Sequence, residues 1–531
     1  MAHNFTQCLL VFIVWNILYL QTISTSNILV VPMESDGSHY FVMKSIADEL
    51  VSRGHHVTML LNGIYKDKVT AKSSPGIQME FFKSNFTLQD HEDFLTGMTN
   101  AGLRGEYFSY FMENLDEFMA RTVADCHNIL YDVAFMSRLK NSNFQVALVD
   151  FGFECPLLQL LKRDIGLPYI AVSALLALPS YMMISNRKPY NPAYMPELMI
   201  GSFDHKMFFY DRLINTLLGL LLNIMTVAID HPLEETFSQF GIPNELLRHA
   251  DADLWLMNTH FAFDFPRPFL PNSKPVGGLT TQPAKSLTKD LEEFVHSSGE
   301  HGVVLFSMGS YAKGVNADIA AMFAGAFAQI PEKVIWKLNG QPSATLSDNI
   351  KVMDWVPQND LLAHSQVKAF VTHCGMNGVW EAVYHGVPMV AIPLFGDQPD
   401  NAQRIESRGI GVRVDVTTLT SDLLTQAIRI VIDEPSYKTN AKKLSALFRD
   451  TPRTPVQQAA DWSEYIIRHG DARHLRSAAL DLNLIQYFLL DVLLCLCLGV
   501  LMFSIIMFCF CRICFKGCSK VCARGTKVKT Q

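Results

Sequence analysis

The chain has 531 residues, 49% of them apolar, and a formal net charge of −7 with histidine neutral. That length exceeds what one hydrophobic core organises, so two domains are expected. An acidic balance with no basic stripe in the body argues against nucleic acid as a partner. Of the 11 cysteines, only Cys126, Cys155 and Cys374 fall in the body. Three cysteines are no disulfide framework, which leaves an apolar core to hold the fold.

Residues 8–20 are apolar apart from Asn16 and are followed by Thr22, Ser24, Thr25 and Ser26. This reads as a signal peptide over residues 1–26, cleaved before Asn27. Residues 27–33 (NILVVPM) form a buried strand, and a polar loop runs from it to His39. Phe41, Ile46, Ala47, Leu50 and Val51 recur at helical spacing until Gly54, and residues 56–61 make the next strand. The same strand–helix–strand pattern returns at 145–149, which Asp150 ends, then near 157–162 and at 167–172. Residues 81–143 read as irregular insertions. Residues 213–229 are uncharged but short for a membrane span, so a buried or interfacial helix is expected. An apolar surface there would bring the domain to a bilayer. Pro266-Arg267-Pro268 and residues 271–283 break the periodicity as a linker.

A second domain opens with the strand at 302–308 and continues with strands at 333–338, 368–372 and 387–392. Residues 457–468 form an amphipathic helix leading back toward the membrane. Residues 492–511 carry no charge, and at ~1.5 Å per residue they cover about 30 Å, a bilayer core. Arg512, Lys516, Lys520, Arg524, Lys527 and Lys529 follow without an acid, which places that tail in the cytosol. The expected layout is a first domain over 27–282 and a second over 283–455. A return helix and membrane approach follow over 456–490, then a span over 491–511 and a basic tail over 512–531.

Residues 355–401 concentrate the chemistry. A strand at 368–372 runs into the turn His373-Cys374-Gly375-Met376-Asn377-Gly378, then a helix, a strand at 387–392 and a further loop. Ligands of such βαβ units lie beyond the carboxyl ends of the strands. A helix opening at Asn377 aims free N–H groups at an anion, most naturally a phosphate. Ser310 follows Gly309 after another strand, and glycines at 309, 375 and 378 permit close backbone approach, or simply serve turns. Trp355 beside Gln358 can stack a pyrimidine and bond its edge, or be a core tryptophan at a proline turn. His39 has the side chain for a general base near neutral pH, although a lone loop histidine is ordinarily just solvated. Asp150, ending its strand, could by itself cap the next helix. Taken alone, Glu381 is a helix-dipole carboxylate and Asp397-Gln398 a plain turn. Asp251-Ala252-Asp253 has the form of a cation-binding pair but no further carboxylate or histidine near it in sequence, so no metal site is expected.

The run Phe370-Val371-Thr372-His373-Cys374-Gly375, with Glu381, Pro388, Pro393 and Asp397-Gln398 at their spacings, resembles the donor signature of the UDP-glycosyltransferases. That family includes the membrane-bound UDP-glucuronosyltransferases, and the likeness extends from near Asn27 to the tail. It implies an α/β GT-B fold, two facing Rossmann-like doubly wound domains plus one C-terminal transmembrane helix. It implies His39 as base with Asp150 behind it, and Trp355 with Gln358 at the uracil. Ser310, His373, Gly375, Asn377 and Gly378 would meet the diphosphate, Glu381 the ribose, and Asp397 and Gln398 the sugar. The reaction implied is inverting transfer from a UDP-sugar to a hydroxyl of a small lipophilic acceptor, with no metal and no cofactor beyond the co-substrate. Arg267 is a candidate contact for a glucuronate carboxylate. The donor stays open among hexose, N-acetylhexosamine, pentose and glucuronic acid, and GSHY at His39, FAFDF and the Lys-Val-Lys tail lean away from glucuronate. Acceptor contacts would come from the variable stretch between 81 and 240. The resemblance allows a homo- or hetero-dimer. Asn85-Phe86-Thr87 is a glycosylation sequon. The last five residues resemble a dilysine retrieval signal, which implies a single-pass type I protein of the endoplasmic reticulum with a lumenal body. The rival reading is a non-catalytic lipophile-binding membrane protein that keeps the fold.

Overall fold

The computed structural model describes residues 25–70, 74–153, 155–174, 179–198, 203–228, 233–242, 249–310, 315–340, 342 and 345–527. The expected signal peptide, up to residue 24, and the last four tail residues lie outside these. Residues through Arg476 form one compact unit, and residues 477–531 form a second.

The first sheet has seven parallel strands: β1 (Asn27–Val31), β2 (His56–Asn62), β3 (Ile77–Phe82), β4 (Phe144–Asp150), β5 (Tyr169–Ser173), β6 (Leu254–Met257) and β7 (Ser273–Pro275), in the order β3-β2-β1-β4-β5-β6-β7. Ile28, Leu29, Val30 and Val31 are all fully buried. A run of apolar residues without alternation is what a strand covered on both faces requires. Helix α1 (Ser38–Ser52) crosses from β1 to β2, and the connections leave β1 in opposite directions on its two sides. This reversal opens a crevice between β1 and β4 at their carboxyl ends, the place where such sheets bind ligands.

The stretch expected to be irregular is instead helical. Helices α2 (Leu88–Leu103), α3 (Tyr107–Leu130) and α4 (Val133–Asn141) fill the space between β3 and β4. Thr87 and Asp90 form a reciprocal capping box that starts α2. The helices are mostly half-buried, so their apolar periodicity is diluted by exposed polar and aromatic positions. Cys126 of α3 is disulfide-bonded to Cys155, whose Cα lies 5.4 Å away, just before α5 (Leu157–Ile165). The three-cysteine count concealed this crosslink, because pairing depends on spatial proximity and not on number. Helix α6 (Phe209–Ala228) buries Asn215, whose amide donates to the carbonyls of Pro192 and Met195. It leaves Phe209, Leu213, Leu217, Leu220 and Ile224 exposed, so its apolar side is a surface and not a core.

The second sheet has six parallel strands: β8 (Val303–Ser307), β9 (Lys333–Lys337), β10 (Ile350–Met353), β11 (Val367–Thr372), β12 (Met389–Ala391) and β13 (Gly411–Arg413), in the order β10-β9-β8-β11-β12-β13. Its crevice lies between β8 and β11. Helices α7 (Lys289–His296), α8 (Ala317–Phe327), α9 (Gln358–Ala363), α10 (Met376–His385) and α11 (Gln398–Ser407) surround it. The expected return helix is α12 (Pro455–His469). It packs on α1 of the first domain, burying Ala459, Ala460 and Ile466, with Arg53 Nη1 2.7 Å from Asp461. In the second unit, α13 (Leu490–Lys527) is long and apolar enough to cross a membrane.

Candidate active site

The two crevices open on one cavity of about 730 Å³, lined from both domains. Gly37, at φ 91°, turns the chain between β1 and α1, and its positive φ suits glycine. That turn sets His39 at the second position of the helix, 7% exposed on the cavity wall. Its Nδ1 lies 2.8 Å from Oδ2 of Asp150, the last residue of β4. The second oxygen of Asp150 accepts the N–H of Gly152 at 3.0 Å. A carboxylate held this way makes Nδ1 the donor and leaves Nε2 as the proton-accepting nitrogen. Burial alone would lower the His39 pKa. The charge and hydrogen bond of Asp150 and the charges of Glu34 and Asp397 outweigh it and raise the group to about 9.

On the opposite wall, β11 ends at Thr372 and α10 begins after Gly375, with His373 between. A Cβ on Gly309 would sit 2.6 Å from the His373 ring, and one on Gly375 would sit 2.4 Å from it. These glycines therefore seat an imidazole, an intramolecular reason beyond approach to a phosphate. Burial drives the His373 pKa down to about 4, and the charge of Lys337 adds to the effect. Gly378 lies under Gln358 and Phe370, where a Cβ would come within 3.2 Å of the Gln358 amide. That amide donates to Oε2 of Glu381 at 2.6 Å. Burial raises the Glu381 carboxyl to about 7 against this bond. Trp355 is 56% exposed on the cavity wall, its ring centre 5.9 Å from that of Phe41 on α1.

At the first position of α11, Gln398 Oε1 accepts the N–H groups of Leu394 (2.9 Å) and Phe395 (3.1 Å) of the preceding loop, so its NH₂ is what it can offer a ligand. Burial raises the Asp397 pKa, opposed by a bond from Asn401 and by the positive charge of His39. Asn401 donates both to Asp397 Oδ2 (2.9 Å) and to the carbonyl of Cys374 (3.0 Å), tying the two ligand loops together. Its place one helical turn after Asp397 is the signal that would have found it. Asn377 Nδ2 donates across the cleft to the carbonyl of Ser38 at 3.0 Å, next to His39. The insertion helices reach this wall too: Tyr107 stacks on Phe395 at 5.2 Å between ring centres.

Ser310, Trp355, Gln358, His373, Gly375, Asn377, Gly378, Glu381, Asp397 and Gln398 all line the cavity with His39, and Asp150 stands directly behind that histidine. Arg267 does not line it. Its guanidinium lies 3.4 Å from buried Asp264, which also takes Arg404 Nε at 2.9 Å. A buried carboxylate claims the arginine that was expected at a donor carboxylate. Asn85 is exposed on the loop before α2. Asp251 accepts the Tyr169 hydroxyl and Asp253 pairs with Lys162 at 2.8 Å, so this pair holds structural partners. Glu292, His296 and His364 lie within reach of one cation. His364 Nδ1 accepts the N–H of Gln366, however, so its Nε2 carries the proton it directs at Glu292 and offers no lone pair.

Two doubly wound parallel-sheet domains that line one cleft are the arrangement of a GT-B glycosyltransferase. The family model described as "UDP-glucoronosyl and UDP-glucosyl transferase" matches residues 26–525, and the chain belongs to that family. It is 39% identical to UDP-glucuronosyltransferase 2A1 of Rattus norvegicus, over 88% of this chain and 89% of that one. It is 37% identical to UDP-glucuronosyltransferase 2B17 of Homo sapiens, over 94% and 96%. Among solved structures, the glycotransferase of kitacinnamycin aligns with TM-score 0.56 at 20% identity, covering 83% of this chain and 98% of that one. Os79 from O. sativa aligns with TM-score 0.57 at 18% identity, covering 83% and 100%. The chain is thus a UDP-glycosyltransferase enzyme, which sets aside the non-catalytic rival.

Proposed function

We propose that the protein transfers a sugar from a UDP-sugar to a hydroxyl of a small lipophilic acceptor with inversion, His39 acting as base. Neutral Nε2 takes the acceptor proton while the oxygen attacks the anomeric carbon from the face opposite UDP. The bond from that carbon to the diphosphate breaks, and UDP leaves with the electron pair. An α-linked donor gives a β-glycoside. Asp150 keeps Nδ1 protonated and steadies the imidazolium. The N–H groups opening α10 face the departing diphosphate as prepaid dipoles. The observation that carries this reading is the 2.8 Å contact of His39 with Asp150 on the wall opposite the donor residues.

The donor sugar is a hexose, N-acetylhexosamine, pentose or glucuronic acid, to be distinguished by a thermal-shift panel of UDP-sugars. Saturation at 100 times Kd adds about 2.7 kcal/mol. His39→Ala should then abolish transfer while UDP still stabilises the protein. Equal transfer by His39→Ala would remove the base assignment.

We place the protein in the endoplasmic-reticulum membrane, spanning once with a lumenal body. Helix α13, with the uncharged run 492–511 followed within it by Arg512, Lys516 and Lys520, supports the span. The Cys126–Cys155 bond supports an oxidising compartment for the body. The exposed apolar side of α6 offers a surface on which lipid-dissolved acceptors can approach. Endoglycosidase-sensitive sugar on Asn85 would support this residence; a protease-accessible body in sealed microsomes would overturn it.

A further inference from the structure

The second unit carries nucleophiles that sugar transfer does not use. Helix α13 contains Cys511, Cys514 and Cys518, each a free and exposed thiol. Steps of three and four residues put these three side chains on one face of a helix. Phe515, four residues after Cys511 and three before Cys518, extends that face and is 80% exposed. Arg512, Lys516 and Lys520, also exposed, follow one another at four-residue steps. At 3.6 residues per turn the cations lie on roughly the opposite side from the thiols.

Depth decides which thiols can react. The uncharged run of the span ends at Cys511. At a rise of ~1.5 Å per residue, Cys514 lies about 4.5 Å further along the axis and Cys518 about 10 Å. The headgroup layer on one side of a bilayer is roughly 5–8 Å thick. Cys511 and Cys514 therefore stand within that layer and Cys518 just past it, where water and lipid meet. Cys497 is about 20 Å back from Cys511 into the hydrocarbon, and Cys495 deeper still, so a thiolate there is costly to form. In the reducing cytosol the outer thiols are not consumed as disulfides. The cations across the helix draw polyphosphate carriers such as coenzyme A to the same spot.

We propose that Cys511, Cys514 and Cys518 are S-acylated with long-chain fatty acyl groups from acyl-coenzyme A. This rests on the reading above of a single span with its basic tail in the cytosol. Each cysteine sulfur attacks the thioester carbonyl of the acyl donor. The carbonyl's bond to the coenzyme A sulfur breaks, and coenzyme A leaves as the thiol with the proton that the cysteine gave up. One thioester replaces another, so no oxidant or reductant is consumed. The acyl chains enter the cytosolic leaflet beside the span and cover the Phe515 face, while the basic face meets anionic headgroups.

The test is acyl exchange on the full-length protein in cell membranes. Free thiols are blocked, thioesters are cleaved with hydroxylamine, and each thiol released takes a mass tag. Wild type should shift by as many as three tags, and only with hydroxylamine. The combined variant Cys511→Ser, Cys514→Ser, Cys518→Ser should lose those tags, while Cys495→Ser with Cys497→Ser should keep them. No hydroxylamine-dependent shift in wild type would overturn the proposal, as would a combined variant that shifts as far as wild type. Protease added to sealed microsomes separates this inference from the reading beneath it. Tail peptides lost to the protease, with no acyl shift, would overturn acylation alone. Tail peptides protected from it would overturn the cytosolic tail, and this inference with it.

Discussion

Each half of the cleft places a histidine just after a strand that borders its crevice, and the two have opposite character. His39 follows β1 at the crevice of the first sheet, and His373 follows β11 at the crevice of the second. Both are buried, and burial pulls both pKa values down. Three carboxylates around His39 reverse that pull and raise it to about 9, whereas His373, with Lys337 near it, is left at about 4. One ring is held through Nδ1 by Asp150 and is the proposed proton carrier; the other is a wall element seated between two glycines. Topology supplies the position, and the neighbouring charges decide the chemistry.

The largest effect that would sharpen this contrast is on the chemical step. His39→Ala should lower kcat by about 10²–10⁴-fold and leave UDP affinity within about twofold. His373→Ala should do the reverse, costing mainly UDP affinity. If both variants lose kcat alone, the division of labour is wrong. Next comes the joint between the domains, where Asp264 holds Arg404 and Arg267 in the interior. Asp264→Ala leaves buried cations uncompensated and should cost about 3–5 kcal/mol of unfolding free energy, read by denaturant titration. The smaller change of an exposed pair would mean that water reaches the site.

The pH dependence follows from the same two rings. His39 must be neutral to accept a proton, so kcat/KM should rise with pH and level off above about 9. In Asp150→Asn the arm should move to lower pH, because the largest upward influence is gone, while the plateau falls. For stability the signs oppose. The raised pKa of His39 stabilises the fold fully below about 6.5 and loses that contribution as pH climbs through about 9. The lowered pKa of His373 costs nothing above 6.5 and destabilises as pH falls from there toward about 4. Melting temperatures across that range should show His39→Gln flattening the alkaline limb and His373→Gln the acid limb. A His373 variant that changes the alkaline limb would contradict the assignment.

What was legible in the sequence was whatever local spacing controls. The four central strands of each sheet read as apolar runs because both faces are covered, and His39, Asp150 and the turn at 373–378 stand where such strands end. Strands β3, β6, β7, β10 and β13 escaped. The features that escaped depend on which partner the folded chain presents, and spacing alone does not say that. Arg267 has the right side chain for a carboxylate, but the carboxylate is Asp264 three residues away. Cys126 meets Cys155 only because α3 folds back over the end of β4. The helices of residues 88–141 have apolar positions, yet half of each faces solvent, so neither periodicity dominated. Gly309 and Gly375 looked like backbone-approach residues, and only the packed His373 ring shows their second use.

The smallest expected effect bears on how the two halves are joined. Asn377 opens α10 on the donor wall, yet its amide donates to the Ser38 carbonyl, on the residue before the base. One hydrogen bond of this kind is worth about 0.5–1.5 kcal/mol net. Asn377→Ala should therefore slow transfer only a few-fold. The informative quantity is where the loss falls. A drop in kcat with UDP affinity unchanged would mean that the amide aligns the Ser38–His39 turn over the anomeric carbon. An equal loss in UDP affinity would mean that the amide swings to the diphosphate when donor binds, and that the contact with Ser38 belongs to the empty cleft. In the first case the base is positioned by the opposite domain, so neither half is catalytically complete alone; in the second, donor binding itself releases the latch between them.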